Sequence, residues 1–384
     1  MMNGPVDYAP AAAPGQPGRY CAIGRLPEIT ALTAGMDFRH PQYRREVFLR
    51  FYEFHLKYRS HPGCVYFLFP YIFEKYGMDQ EQRLWFAFLN GNTQHPPTTL
   101  TIFRAFPDFR SLNLSTLAKW FTARYTQLAF DTDRRYHRKE FLASVECYKR
   151  LCGKSQAAYF ARIIDDADEE DAFRRVWAAV RQGFWSFGRL SSFSYLEYLR
   201  IAGLPLDCDQ LFLDDMSGSK SHRNGLARVL GRDDLDWHSS TGFQGVYSPE
   251  QMAWLADEAS TLRIETRKRF RRKPFYRDVG YFTLESALCT YKSWHRKNRR
   301  YPNVYVDMLH DRIKTSERQL PDEDFSVFWE ARRACLPAHL RLEDTPGDPG
   351  LKPEKQNHYR VTGQVIMMHR DWPCFANDFN GRIA

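Results

Sequence analysis

From about Pro41 onward the apolar positions return mainly at helical spacing. In "YRREVFLRFYEFHLKYR" the residues Val47, Phe48, Phe51, Phe54 and Leu56 recur close to the 3.6-residue period, which predicts an amphipathic helix. "CVYFLFPYIFEKY" is apolar almost throughout and carries Pro70, so a buried helix pair or a kink is expected there. "DQEQRLWFAFLNGN" opens on Asp79, a good N-cap, and reaches Gly91, where the helix is expected to stop. "LSTLAKWFTARYTQLAF" reads as a further amphipathic helix. "DADEEDAFRRVWAAVRQGF" sets acids in its first turn and arginines later, as the helix dipole favours. "SPEQMAWLADEASTLRIETRKRF" has a Ser-Pro-Glu-Gln entry, and "TLESALCTYKSWHRK" repeats Leu284, Ala287, Leu288, Tyr291 and Trp294. Strand-like alternation is scarce: "YRVTGQVIMMH" near the end and a short piece around Val304–Val306 are the best candidates.

The fold class read from this pattern is mostly α, with a short β-containing C-terminal appendage. Residues 1–24, with Pro5, Pro10, Pro14 and Pro17 among Ala and Gly, read as a flexible arm. Residues 25–343 form the helical domain, with room for two lobes split near 155–185. Residues 344–384 begin with the linker "DTPGDPGLKPEKQ" and carry the appendage. No internal repeat is present.

Composition adds two constraints. The chain has 384 residues, 43% of them apolar, enough for a real core. Its eight cysteines form no CxxC pair and no zinc-like Cys/His spacing, so no metal site is expected; scattered thiols suit a reducing cytoplasm. Neither a secretory signal nor an apolar run of ~20 residues is seen, so no membrane span is expected.

The formal charge is +9, from 55 Lys/Arg against 46 Asp/Glu, and it is concentrated. "RIETRKRFRRKPFYR" holds eight Lys/Arg against one Glu, among them Arg267, Lys268, Arg271, Arg272 and Lys273; Arg296 and Lys297 belong to a second cluster. Such a belt attracts a polyphosphate backbone, and its interleaved aromatics suit unpaired bases; a solvated face or an acidic partner is the plain alternative.

Four stretches carry candidate chemistry. Asn90, Asn92 and Gln94 crowd one helix end, where amides can read a base edge or satisfy loose backbone groups. Arg189, Ser191 and Ser192 follow Gly188 at a helix start, a place suited to an anion or to a plain cap. "LFLDDMSGSKSHRNGLARVLGRDDLDW" sets Asp214 and Asp215 before Ser219, Lys220, Ser221 and Arg223, ahead of a helix expected from about Asn224. Two cations in a Ser/Gly setting can hold a phosphoryl group, although the Walker spacing is absent; either aspartate can accept a proton or pair with a cation. Asp307, His310 and Asp311 can share one helix face.

Three of these stretches, "FGRLSSFSYLEYL", "DDMSGSKSHRNGLARVLGRDD" and "LESALCTYKSWHRKNRRYPNVYVD", together resemble the bacteriophage amino acid:DNA transferases, the α-glutamyl/putrescinyl-thymine pyrophosphorylase-like family, over about residues 30 to 340. Asn303 stands where that pattern has glycine after "RYP", and Asn is the next-best residue for positive φ. The resemblance implies a helical fold related to helix-hairpin-helix DNA glycosylases. It also implies a reaction: the pyrophosphate of an activated 5-hydroxymethyluracil in double-stranded DNA is replaced by the amine of an amino acid or polyamine, in the cytoplasm of the infected bacterial host. Mg²⁺ with the pyrophosphate is the one cofactor to consider. On that reading Asp214, Asp215, Lys220 and Arg223 are catalytic, and Arg189, Ser191, Ser219 and Ser221 bind pyrophosphate. Asn90, Asn92 and Gln94 read the base, while Arg300 and Asp307 bind the amino acid. The rival readings are a glycosylase-like base-excision enzyme and a non-enzymatic basic DNA-binding protein.

Overall fold

A computed structural model describes residues 41–215, 220–232, 235, 247–291, 304–337 and 341. The N-terminal arm, the C-terminal appendage with "YRVTGQVIMMH", and Ser219, Arg296, Lys297 and Arg300 lie outside the described residues. Within them the chain forms helices α1 (Pro41–Lys57), α2 (Val65–Lys75), α3 (Gln80–Thr93), α4 (Pro96–Ala105), α5 (Leu114–Arg124), α6 (Phe141–Cys152) and α7 (Gln156–Ile164). Then come α8 (Glu169–Gly183), α9 (Arg189–Ile201), α10 (Ser221–Val229), α11 (Pro249–Phe270), α12 (Tyr281–Tyr291), α13 (Val304–Gln319) and α14 (Ser326–Cys335). No strand occurs among the described residues.

Local chemistry accounts for most boundaries. Asp79 and Gln82 form a reciprocal capping box at α3, and Ser248 and Gln251 form another at α11, where Pro249 occupies the first turn. Asp168 caps α8 ahead of Glu169, Glu170 and Asp171. Pro70 sits inside α2, a single helix and not a pair.

Three boundaries differ from the sequence expectation. Val304–Val306 is not strand but the first turn of α13, because Tyr305 and Val306 bury on one side of a helix. The helix expected from Asn224 starts at Ser221, which puts His222 and Arg223 in its first turn. Gly91 does not stop α3, which runs on to Thr93 and ends on Gln94 in the left-handed region (φ 48°). A Cβ at Gly91 would lie 3.1 Å from the Tyr195 ring, so the glycine is there for close packing of α3 on α9.

The core is aromatic. Phe88 and Tyr148 stack 3.7 Å apart at 6°, and Phe184 and Phe187 from the turn after α8 and Tyr195 from α9 close around them. Each such ring contributes ~1.5–3 kcal/mol by leaving water. The tightest helix contact lies elsewhere, where α10 crosses α12: a Cβ on Gly225 would come 2.0 Å from the Leu288 carbonyl oxygen. Only glycine lets these backbones approach so closely, and the same crossing brings His222 to Glu285.

Gly225→Ala is therefore expected to lower stability in urea unfolding by about 2–3 kcal/mol, the scale of an overpacked core. Gly183→Ala, whose Cβ would meet Leu151 at an ordinary 3.6 Å, should cost nothing and gain up to about 1 kcal/mol. Equal effects at the two positions would refute the close-approach explanation.

Candidate active site

Four segments converge on one buried cluster: the start of α9, the extended stretch 211–215, the first turn of α10 and the middle of α12. Arg189 opens α9 behind Gly188, which supplies no side-chain cap, so the first-turn N–H groups lack one of the usual partners. The Arg189 guanidinium is fully buried and donates through Nη2 to Glu285 Oε1 at 2.9 Å; Glu285 is itself 4% exposed. His222 Nδ1 lies 3.7 Å from the same carboxylate oxygen. Arg223, 1% exposed, donates to the Leu213 carbonyl at 3.1 Å and covers the Tyr247 ring at 4.2 Å. Asp215 accepts from Arg181 at 3.2 Å, and Arg181 also donates to the Phe187 carbonyl beside the α9 entry.

Burial holds the His222 imidazole well below its ordinary value, and the Arg189 and Arg223 cations push it further, so it stays neutral. Burial also lowers the Arg223 guanidinium, with Arg189 adding to the effect. Glu285 pairs with Arg189, while Arg223 lies close enough to Arg189 and His222 for their charges to act on one another. Beside them Glu197, fully buried, accepts from Tyr66 at 2.8 Å; burial, with Glu285 nearby, raises its carboxyl well above the ordinary value.

Of the predicted site residues, the structure brings Arg189, Arg223 and Asp215 together, with Ser221 and Lys220 at the start of the same helix. Asp214 is exposed beside them. Ser191 turns away and donates to Asp133 at 2.7 Å. Asn90 and Asn92 are internal: Asn90 accepts from Thr99 at 3.0 Å, while Asn92 donates to the Phe88 carbonyl and accepts from Arg134 at 2.8 Å. Gln94 is different, for its buried Nε2 has no partner among the described residues. Asp307 lies on α13, three residues before His310, which is bonded to Asp311 at 3.0 Å.

Glu285, His222, Arg181 and Glu197 were missed by sequence reasoning. Glu285 and Glu197 each sit inside a stretch of buried apolar residues, and a lone acid on an apolar helix face was the available signal. The basic belt is also less free than its count suggested. Arg269 makes two bonds to Glu46, Arg263 pairs with Glu170, and Arg267 donates to the Val279 carbonyl over the Tyr276 ring. Lys268, Arg271, Arg272 and Lys273 are exposed, Lys273 beside Glu53 at 2.9 Å.

The sequence profile of the amino acid:DNA transferase family matches residues 68–300, which include α9, α10 and α12. The chain belongs to that family. It is a transferase that acts on DNA with an amino acid. The chain is 28% identical over 299 residues to a serinyltransferase of Salmonella phage ViI, an alignment covering 74% of this transferase and 71% of that protein. No solved structure matches it. No helix among the described residues is long and apolar enough to cross a membrane.

The buried groups of the transferase make stability pH-dependent with a defined sign. His61, held down to about 3 by burial, and His95 and His222, also depressed by burial, take up protons in the unfolded chain first. Stability should therefore fall as pH drops below 6.5, by up to ~1.4 kcal/mol per pH unit for each imidazole. Glu197 acts oppositely: its folded carboxyl keeps a proton that the unfolded chain releases above 4.5, so its contribution is lost as pH rises. Glu197→Gln should gain stability relative to the parent between about pH 5 and about pH 7. A difference that does not change with pH in urea melts would show that Glu197 is ionised.

Proposed function

We propose that this transferase replaces the pyrophosphate of an activated 5-hydroxymethyluracil in phage DNA with the amine of an amino acid. The observation that supports this reading is the gathering of Arg189 from the start of α9 and of His222 and Arg223 from the first turn of α10 around the stretch 211–215 and Glu285 of α12, with Lys220 and Ser221 alongside. A departing diphosphate needs compensating charge as the bond to it breaks, and preorganised buried cations supply it without reorganising water. Lys220 and Ser221, in the same turn, add a cation and a hydroxyl. The exocyclic C–O bond breaks with its electron pair leaving on the diphosphate. The amine nitrogen then forms the C–N bond with its lone pair.

The amine is an ammonium at neutral pH and must lose a proton first. Asp215, held at the mouth of the cluster by Arg181, is the acceptor we favour over the exposed Asp214. Gln94, with an amide donor unsatisfied in the interior, is the favoured base-reading residue. Access to a substituent on a paired base favours extruding the nucleotide, which is the physical sense of a glycosylase-like helical architecture. The named activity of the phage relative makes serine the first amine to test, with glycine and putrescine beside it.

Incubation with duplex DNA carrying 5-(pyrophosphoryloxymethyl)uracil and serine should give a C–N-linked nucleoside by mass spectrometry and one pyrophosphate per base converted. Abasic sites instead would mark a base-excision enzyme, and unchanged nucleosides on tightly bound DNA a binding protein. Asp215→Asn should lower kcat at least ~100-fold with little change in KM, and recover part of the loss as pH rises toward the amine's own pKa. A kcat within about threefold of the parent removes Asp215 from the mechanism.

A further inference from the structure

A groove of about 860 Å³ opens on the side of the molecule where α1, α2 and α9 meet the turn after α11. Lys57 and Arg59 come from the end of α1, Arg200 from the end of α9, and Lys273 and Arg277 from that turn. Glu53 and Asp278 are its acids, so five cations face two carboxylates. Asp278 is shared by Arg59 and Arg200 at 3.9 Å each, and Glu53 pairs with Lys273 at 2.9 Å. The excess of three positive charges lies in a concave surface, where low-dielectric walls concentrate the field. Leu56, Pro70, Ile201 and Phe275 provide apolar wall between the charges. Tyr66 forms part of the lining, and its hydroxyl is bonded to buried Glu197, which lies in the field of Glu285. Through Tyr66 the groove reaches Glu197 on α9, the helix that begins with Arg189.

We propose that this groove holds the phosphodiester backbone of the DNA strand flanking the nucleotide that enters the site. A strand presents one phosphate about every 3.4 Å along the helix axis, so a short run of backbone matches the three excess charges, and its sugars match the apolar wall. DNA as the occupant rests on the transferase reading. The placement is separate from it, and differs from a diffuse belt in which every exposed cation counts alike.

The test is fluorescence anisotropy with an unmodified duplex and no amine, so that binding is read without transfer. Lys57→Glu with Arg277→Glu reverses two groove charges, and Arg271→Glu with Arg272→Glu makes the same change on the exposed belt. Thermal melts confirm that both variants fold. At about 150 mM salt the groove variant should bind at least about tenfold more weakly, with the salt slope reduced by about 2, and the belt variant less than about threefold more weakly. Titration with inorganic pyrophosphate alone separates backbone from free polyphosphate: the groove variant should bind it as the parent does. Equal losses in both variants, an unchanged groove variant, or a parallel loss of pyrophosphate affinity would each overturn the proposal. If the groove variant behaves as expected while the parent transfers no amine, the transferase chemistry fails and the groove stands.

Discussion

Arg189 and Glu285 meet where α9 faces α12, with almost no water on either group. Removing two charges from water costs several kcal/mol per ion, and such a pair seldom returns more than an apolar pair of the same volume. Its presence is better explained by what surrounds it. Glu285 is the common neighbour of Arg189 and His222, and the glycine-mediated crossing of α10 on α12 sets the second arginine, Arg223, beside them. Glu285 thus ties the start of α9 to the first turn of α10, and three basic side chains from two helices are held in one buried place.

The constraint reaches outward through the helices that make it. α9 must lie close on α3 for Arg189 to be buried, and Gly91 against Tyr195 allows that approach. The aromatic cluster around Phe88 and Tyr148 packs against the same Tyr195 ring. Glu197, on α9, has its carboxyl raised by the apolar interior, and Tyr66 links it to the cationic groove. The interior thus pairs a rigid aromatic half with a polar half, and the polar half contains the cluster.

Charge outside the cluster is divided by packing in a way that a residue count hides. Arg263, Arg267 and Arg269 hold α11 to its neighbours by pairing with Glu170, a backbone carbonyl and Glu46. These cations contribute to architecture first. Lys268, Arg271, Arg272 and, at the groove, Lys57, Arg59, Lys273 and Arg277 are exposed, and long-range attraction of a polyanion falls to them.

The helices and their caps were legible in the chain itself, because periodicity, Asp79, Ser248 and the acids before α8 act on near neighbours. Arg189 and the segment through Arg223 stood out as candidates too, since polar groups between apolar runs announce themselves locally. The roles of Gly91 and Gly225 were not, because what a missing Cβ makes room for is a residue distant in the chain. Neither were Glu285, His222, Arg181 and Glu197, whose partners lie on other helices: a buried acid reads as an interruption of an apolar face until its cation arrives from elsewhere. The internal pairing of Asn90 and Asn92 was decided in the same way, by Thr99 and Arg134. Local sequence determines what each segment can form and which groups it carries; burial and pairing between segments decide which of those groups are structural and which face a substrate.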